Sequence, residues 1–327
     1  MIDFGYEKVF TIKAAINALA KNPSGCFIAG GTNLVDLMKK DVVVPTRLID
    51  ISNLPLKQIQ DNSVGLKIGA LVPNSEVAEN GIVKKKYPLL AMAINAGASE
   101  QLRNMATVGG NILQKTRCTY FYDTTMPCNK REPGNGCGAL KGINRMHAIF
   151  GTSDHCISVH PSDMCVALVA LDASLTITGT KGKREILLTD FLRLPGNKPE
   201  MDTNLLKGEL ITGINIKRNS FYKNAFYLKL RDRTSYAFAL VSVAAALELK
   251  GKIISDARLA MGGVAQKPWR LAVTEKFLIG KPVTEETFVK AAALAMKGAK
   301  AFKNNKFKLK LAPLAIVEAL MKSAGIN

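Results

Sequence analysis

The sequence predicts an α+β protein in two domains, residues 1–219 and 220–327. Three observations carry that reading. A chain of 327 residues exceeds what one hydrophobic core usually serves. Helical and extended patterns mix up to residue 217, and from Phe221 the composition changes to three extended stretches followed by three helical ones. Apolar content of 47% is that of an ordinary globular protein, which argues against disorder.

Taken in order, Thr11 to Asn22 predicts a first helix. Thr11 suits an N-cap, Ala14, Ala15, Ala18 and Leu19 form an apolar stripe, and Asn22-Pro23-Ser24-Gly25 ends it. A short strand, Cys26 to Ala29, runs into Gly30-Gly31-Thr32-Asn33 and a helix through Lys40. Strand, glycine turn and helix is an arrangement that offers free backbone N–H groups and a helix dipole to an anion. Glycine permits positive φ there, and its missing side chain lets a phosphate approach the main chain. Neither Gly-x-Gly-x-x-Gly nor a P-loop is present, so a plain tight turn competes for Gly30-Gly31.

Arg47 to Ile51 and Val64 to Val72 alternate as strands, and Ser75 to Ala98 turns helical in two pieces that meet at Tyr87-Pro88. Gln101 to Leu113 returns to an extended pattern with a second glycine pair, Thr107-Val108-Gly109-Gly110-Asn111. Two donor-rich glycine loops, each leaving a strand, suit a ligand with two phosphates better than one does. Further on, Ser162 or Asp163 can cap the apolar helix Met164 to Leu171, and Asp163 is either a cap or an acceptor for a ligand hydroxyl. Leu175 to Gly179 and Glu209 to Lys217 are extended around a polar loop at 195–207. The second domain offers strands at Ala225 to Leu230, Ala239 to Leu249 and Ser255 to Met261, then helices at Thr274 to Ile279, Glu285 to Lys300 and Leu311 to Ser323.

Residues 114–158 follow no period. They hold four of the six cysteines, Cys118, Cys128, Cys137 and Cys156, spaced Cys–x9–Cys–x8–Cys–x18–Cys. A polar stretch of that length buries too little apolar surface to offset its chain entropy unless something ties it down. Disulfides want an oxidising compartment and a chain short of core, and neither is indicated. Structural zinc usually takes its thiolates as Cys–x2–Cys knuckles, which are missing. A [4Fe–4S] cluster takes four thiolates without that constraint. Spacing alone leaves all three open. Cys26 and Cys165 lie in apolar runs and read as small buried hydrophobes.

A net charge of +19 asks for an acidic partner. Lys84-Lys85-Lys86 and the basic run from Lys303 to Lys310 lack the repeated aromatics of a base-stacking platform. Solvated helix faces or a surface docking an acidic protein are therefore favoured over nucleic acid. No apolar run has the length of a membrane span, and the N-terminal residues show no export signal. With three histidines, His147, His155 and His160, no Ser/His/Asp or His/Glu metal constellation forms. His147 and His155 read as surface residues of the loop, and no catalytic side chain is expected.

Ala29-Gly30-Gly31-Thr32-Asn33, Ala106-Thr107-Val108-Gly109-Gly110-Asn111, Pro161-Ser162-Asp163 and Tyr227-Leu228-Lys229-Leu230-Arg231, at these separations, resemble the FAD-binding subunits of the molybdenum hydroxylase (xanthine dehydrogenase, carbon monoxide dehydrogenase) family over essentially the full length. Thr116-Arg117-Cys118, Pro127-Cys128-Asn129-Lys130-Arg131-Glu132-Pro133-Gly134 and His160-Pro161-Ser162-Asp163-Met164 are similar to the flavoprotein subunits of bacterial periplasmic aldehyde oxidoreductases, a branch with an extra [4Fe–4S] cluster on an inserted loop. The resemblance implies a two-part FAD-binding domain of the PCMH/vanillyl-alcohol-oxidase type and a smaller α+β C-terminal domain like that of carbon monoxide dehydrogenase flavoproteins.

It also implies roles. Phe27, Ile28, Ala29, Gly30, Gly31, Thr32, Asn33 and Leu34 would wrap the FAD pyrophosphate, and Thr107, Gly109, Gly110 and Asn111 would make the second phosphate and flavin-side contact. Asp163 would hold a cofactor hydroxyl, Lys229 and Ile211 would approach the isoalloxazine, and Gly97 follows by its offset from Thr107. Cys118, Cys128, Cys137 and Cys156 would ligate the cluster. The implied partners are a large molybdopterin-binding subunit, a small [2Fe–2S] subunit and an external electron acceptor. Asn33 stands where many relatives have Asp, and Thr119 and Tyr122 stand in place of Pro and Arg. A free-standing flavin reductase of the same FAD-binding superfamily and a zinc-stapled partner-binding protein remain the alternatives. The expected compartment is the cytoplasm, or the periplasm if a folded complex leaves on a partner's signal.

Overall fold

The computed structural model describes residues 1–326. The first fifty residues build a small parallel sheet from β1 (Gly5–Lys8), β2 (Cys26–Ile28) and β3 (Arg47–Asp50), in the order β1-β3-β2, with α1 (Ile12–Lys21) and α2 (Leu34–Lys39) between strands. Thr11 caps α1 as expected, its Oγ1 accepting from the Ala14 N–H at 3.1 Å. Ala15 and Ala18 bury the helix's apolar stripe against Val9, Ile49 and Ile51.

A second, antiparallel sheet follows: β4 (Ile59–Asp61), β5 (Gly65–Gly69), β6 (Ser174–Gly179), β7 (Gly182–Leu187) and β8 (Leu210–Lys217), in the order β4-β5-β8-β6-β7. Its last strand in sequence lies at its centre, beside β5. Between β5 and β6 the chain makes a long excursion through α3 (Asn74–Glu79), α4 (Gly81–Lys86), α5 (Pro88–Ala96), α6 (Glu100–Met105), α7 (Val108–Ile112), the single turns α8 (Thr119–Tyr122) and α9 (Gly138–Lys141), and α10 (Asp163–Ala170); α11 (Leu188–Phe191) comes after β7. All eight residues of α10 are buried, as a helix apolar all round requires. It packs with α5 over Ile68, Leu175, Ile177 and Ile214 of the sheet, and Ser162 caps it by accepting from the Cys165 N–H at 3.0 Å.

The C-terminal part holds a third sheet, β9 (Ala225–Leu230), β10 (Val241–Lys250), β11 (Ile253–Gly262) and β12 (Trp269–Arg270), ordered β12-β11-β10-β9, with α12 (Ala272–Leu278), α13 (Glu285–Ala295) and α14 (Lys308–Ser323) on one face. Alternation along β10 divides its side chains between two cores. Val241, Val243, Ala245 and Leu247 join the residues of α13 and α14, whereas Ala244 and Ala246 join the core under the second sheet and α10. None of the helices among the described residues is long and apolar enough to cross a membrane.

The structure corrects several expectations. Residues 101–113 are helical and not extended: Ser99 and Thr107 each accept a hydrogen bond from the N–H three residues on, Leu102 at 3.3 Å and Gly110 at 3.2 Å, and so start α6 and α7. The β-branched and glycine residues there imitate a strand, but the local caps decide. Ser75 to Ala98 breaks twice, because Asn80 Oδ1 accepts from Ile82 and Val83 and restarts a helix before Pro88 begins α5. The short strands β1, β4 and β7 and the turn α11 have no counterpart in the sequence reading. The basic run near the C-terminus is not wholly solvated either. Lys308 is fully buried without a carboxylate, its ammonium donating to the carbonyls of Gly263 at 2.6 Å and His147 at 3.0 Å.

Burial pulls the Lys308 amine down to about 7. An ordinary lysine titrates near 10.4, so between roughly pH 7 and 10 the unfolded chain binds the extra proton and stability contributed at this position rises with pH. Urea unfolding of wild type and Lys308→Met at several pH values should show the difference moving in wild type's favour from pH 7 to 10; a constant difference would mean that Lys308 does not titrate in that window.

Candidate functional site

The glycine turn is held by contact and by φ, one glycine each. A side chain at Gly30 would overlap the Met105 carbonyl oxygen, so close approach of the main chain at the α6–α7 junction, as well as any ligand, demands glycine there. Gly31 has φ of 70°, which favours glycine outright. The N–H groups of Gly30, Gly31, Thr32 and Asn33 find no backbone acceptor among the described residues, which is the free-donor surface the sequence led us to expect. The second pair works differently. Gly109 N–H donates to the Ala70 carbonyl at 2.8 Å, Gly110 N–H to Thr107 Oγ1, and Asn111 N–H to the Thr107 carbonyl at 2.8 Å. It is a packed helical turn that faces the site, and it neither leaves a strand nor offers spare donors.

Between these turns lies a cleft of about 1180 Å³, above the roughly 300–1,000 Å³ of a pocket for a drug-sized ligand and suited to a dinucleotide. Every non-cysteine residue expected to bind the cofactor lines it, from Phe27 through Leu34 on one side, Gly97, Thr107, Gly109, Gly110 and Asn111 on the other, and Asp163, Ile211 and Lys229 at one end. Asp163 and Lys229 meet each other there. Lys229 Nζ donates to Asp163 Oδ2 at 2.8 Å and to the Ala96 carbonyl at 2.9 Å, and the Tyr227 hydroxyl donates to Asp163 Oδ1 at 2.7 Å. Burial, reinforced by the Asp163 charge, pushes the Tyr227 phenol well above its ordinary value, so it stays a donor. Tyr227 stands in the family-like motif but received no role from the sequence, although it lies two residues before Lys229 on one strand and period two places both on one face. Cys26 is half-buried and also lines the cleft, whereas Cys165 is fully buried as expected.

The cysteine stretch closes the cleft's remaining side. Lys115, Arg117 and Tyr122 reach the cleft from it. In place of a periodic core it uses side chains to satisfy its own main chain. Arg131 Nη1 donates to the carbonyls of Tyr120, Phe121 and Asp123 at 2.9 to 3.0 Å, and Asn129 is bonded to Gly136 and His155. Asp202 pins it at two points: Lys115 and Lys130 donate to its carboxylate at 2.7 and 2.5 Å. Burial raises the Asp202 carboxyl, but the two ammonium groups outweigh it and hold it below the usual range. No sequence signal marks Asp202, because its partners lie 87 and 72 residues away.

All six cysteines are free thiols. Cys118 and Cys128 share one small apolar cluster, Cys128 bridges Cys137 main chain to main chain, and Cys118 lies close enough to feel charge on Cys128 and Cys156. Burial pushes the Cys118 thiol up to about 12. No three His, Cys, Asp or Glu side chains among the described residues stand close enough to grip a single metal ion. His147 is buried and not at the surface; its Nε2 lies 3.1 Å from Cys118 Sγ, and burial, with Lys308 behind it, pulls its ring down to about 4. His155 is exposed as expected.

The free-donor glycine turn and the dinucleotide-sized cleft beside it have the features of a nucleotide-cofactor-binding protein. Residues 2–217 match the FAD binding domain in molybdopterin dehydrogenase, and residues 225–312 match the CO dehydrogenase flavoprotein C-terminal domain. The chain is 46% identical over 324 residues to the aldehyde oxidoreductase FAD-binding subunit PaoB of Escherichia coli K12, covering 98% of both chains. It is 31% identical over 285 residues to the glyceraldehyde dehydrogenase medium chain of Sulfolobus acidocaldarius, covering 87% of this chain and 84% of that one. Reconstituted CO dehydrogenase from Oligotropha carboxidovorans shares the fold, with a TM-score of 0.79, 23% identity and complete coverage of both chains. The chain therefore belongs to the FAD-binding medium subunits of the molybdenum hydroxylase family.

Gly30→Ala must push the Met105 main chain aside. We expect it to unfold about 1–3 kcal/mol more easily and to lose FAD on purification, while Gly81→Ala, whose new methyl meets nothing within 4 Å, keeps both properties. Flavin content and urea midpoints of the two variants check this.

Proposed function

We propose that this chain is the FAD- and [4Fe–4S]-carrying electron-transfer subunit of a heterotrimeric molybdenum-dependent aldehyde oxidoreductase. Its partners in that reading are a large molybdopterin-binding subunit, which oxidises the substrate, and a small [2Fe–2S] subunit, which passes electrons on. An external acceptor takes them from the flavin. The likeness in sequence to an aldehyde oxidoreductase subunit over nearly the full length supports the reaction class. The single observation that carries the cofactor reading is the meeting of two distant glycine turns and the Asp163–Lys229 pair around one cleft.

In that cleft the N–H groups of Gly30 to Asn33 receive the pyrophosphate, Thr107 to Asn111 form the facing wall, and Ile211, Gly97, Asp163 and Lys229 border the isoalloxazine end. Bound FAD supplies the redox chemistry, and the protein orients it and sets its electrostatics. Lys229 is held at the cleft wall by Asp163 and the Ala96 carbonyl. The chain divides at residues 219/220, and the complex works in the cytoplasm, or in the periplasm if a partner carries the signal.

Cys118, Cys128, Cys137 and Cys156 hold the cluster. Four free thiols that neighbour one another without converging on one point suit a group that gives each sulfur its own iron, whereas structural zinc needs all four donors around one ion. The free-standing flavin reductase would have no use for the loop.

Acid-released flavin, iron and sulfide, assayed on one anaerobically purified sample, should give one FAD with about four irons and four sulfides per chain. FAD without iron overturns the cluster, and a chain with neither overturns the whole reading. Cys128→Ser should lose the iron and still bind FAD when FAD is supplied in excess; full iron in that variant would overturn the ligand set.

A further inference from the structure

The loop that gathers the thiols is also a wall of the flavin cleft, and it is tied to the cleft's other walls. At the end of the glycine turn, Asn33 Oδ1 accepts from the Lys115 N–H at 2.8 Å, and Asn33 Nδ2 donates to the Tyr122 hydroxyl at 3.4 Å. Arg117 donates to the same hydroxyl at 2.6 Å. Beneath these contacts Leu37, from the helix that follows the glycine turn, packs in one apolar cluster with Phe121, Cys118 and Cys128. At the cleft mouth Arg145 forks onto Asp232 with two bonds of 2.7 Å, and the Arg117 guanidinium lies 5.5 Å from the Phe238 ring. Asp232 and Phe238 line the cleft themselves.

We propose that occupancy of the four-thiol site and binding of FAD are thermodynamically coupled, with Asn33 as the positioning residue that transmits the coupling. This rests on the [4Fe–4S] reading above. Ordering residues 115–122 costs chain entropy. A cluster anchored at Cys118 and Cys128 meets that cost before FAD arrives, and FAD held against Asn33 meets part of it before the cluster is built. Whichever binds first makes the second tighter, and linkage makes the two effects equal. Asn33 can transmit this because its backbone belongs to the phosphate-facing turn and its side chain belongs, by contact, to the cysteine loop. The apolar cluster around Leu37 holds the two elements together but does not distinguish a bound from an empty turn.

The test uses the full-length chain. FAD dissociation constants are measured by equilibrium dialysis on the cluster-loaded protein and on the same protein after anaerobic removal of iron by a chelator. The loaded form should bind FAD about 5- to 150-fold more tightly. In Asn33→Ala both constants change, since a cleft residue is altered, but their ratio collapses towards equality. Tyr122→Phe keeps the ring, removes only the hydroxyl and should shrink the ratio part of the way; it also serves if Asn33→Ala folds poorly, as judged by circular dichroism. Equal constants in the wild-type protein overturn the coupling while leaving the cluster in place. A ratio unchanged in both variants removes Asn33 from it. A chain that purifies without iron and sulfide overturns the cluster reading, and the coupling with it.

Discussion

The main chain of Gly30 lies directly against the carbonyl of Met105, and the cleft owes its geometry to that contact. There the small parallel sheet meets the helical excursion with no side chain between the two backbones. With the two backbones touching, the turn's N–H groups are left facing away from the protein's own acceptors, and the cleft opens beyond them. Gly109 repeats the logic on the opposite wall, where its Cα side faces the Ala70 carbonyl at 3.0 Å from an imagined methyl. The two glycine pairs are alike in sequence and differ in what they do, since one presents donors and the other lets a helical turn settle onto β5.

A second constraint is the place of β8 at the centre of its sheet. Because β5 and β8 are neighbours though far apart along the chain, what separates them either leaves the sheet, as the excursion between β5 and β6 does, or pairs on the other side of β8, as β6 and β7 do. That excursion supplies α5 and α10 for the core and the cysteine loop for the cleft. The loop stays ordered through polar means. Arg131 covers five carbonyls, and Asp202 draws two ammonium groups onto one carboxylate from residues fifteen apart in the loop. Such a network holds only while each member is satisfied, which is the opposite of the forgiving apolar packing beneath α10.

Much of this was legible in the sequence, and the failures have causes. The first helix, the first glycine turn, the cap of α10 and the strands of the third sheet were marked by caps, apolar periodicity and turn residues that act locally. The residues assigned to the cofactor all line one cleft, and it was a family pattern, not periodicity, that pointed to them. Residues 101–113 misled because Thr107 and Val108 favour strands while the hydroxyl of Thr107 begins a helix. Lys308 and His147 were assigned to the surface because charge and loop position ordinarily mean exposure. Only the folded chain brings the Gly263 and His147 carbonyls to the lysine, and Cys118 to the histidine. Asp202 had no signature at all: its meaning lies in two lysines distant along the chain.

The double-sided burial of β10 reaches beyond the fold. A strand whose odd-numbered side chains serve one core and whose even-numbered ones serve another cannot be withdrawn from either half without exposing apolar surface. Residues 1–217 made alone would bare the faces of α5 and α10 that Ala244, Ala246 and Tyr227 now cover, and the C-terminal part alone would bare the opposite side of its sheet. The two family matches cover separate stretches, while in this molecule the shared strand makes the two parts one cooperative body. During synthesis the cleft, whose Lys229 and Phe238 come from the later part, cannot be complete until the ribosome has made the chain beyond these residues.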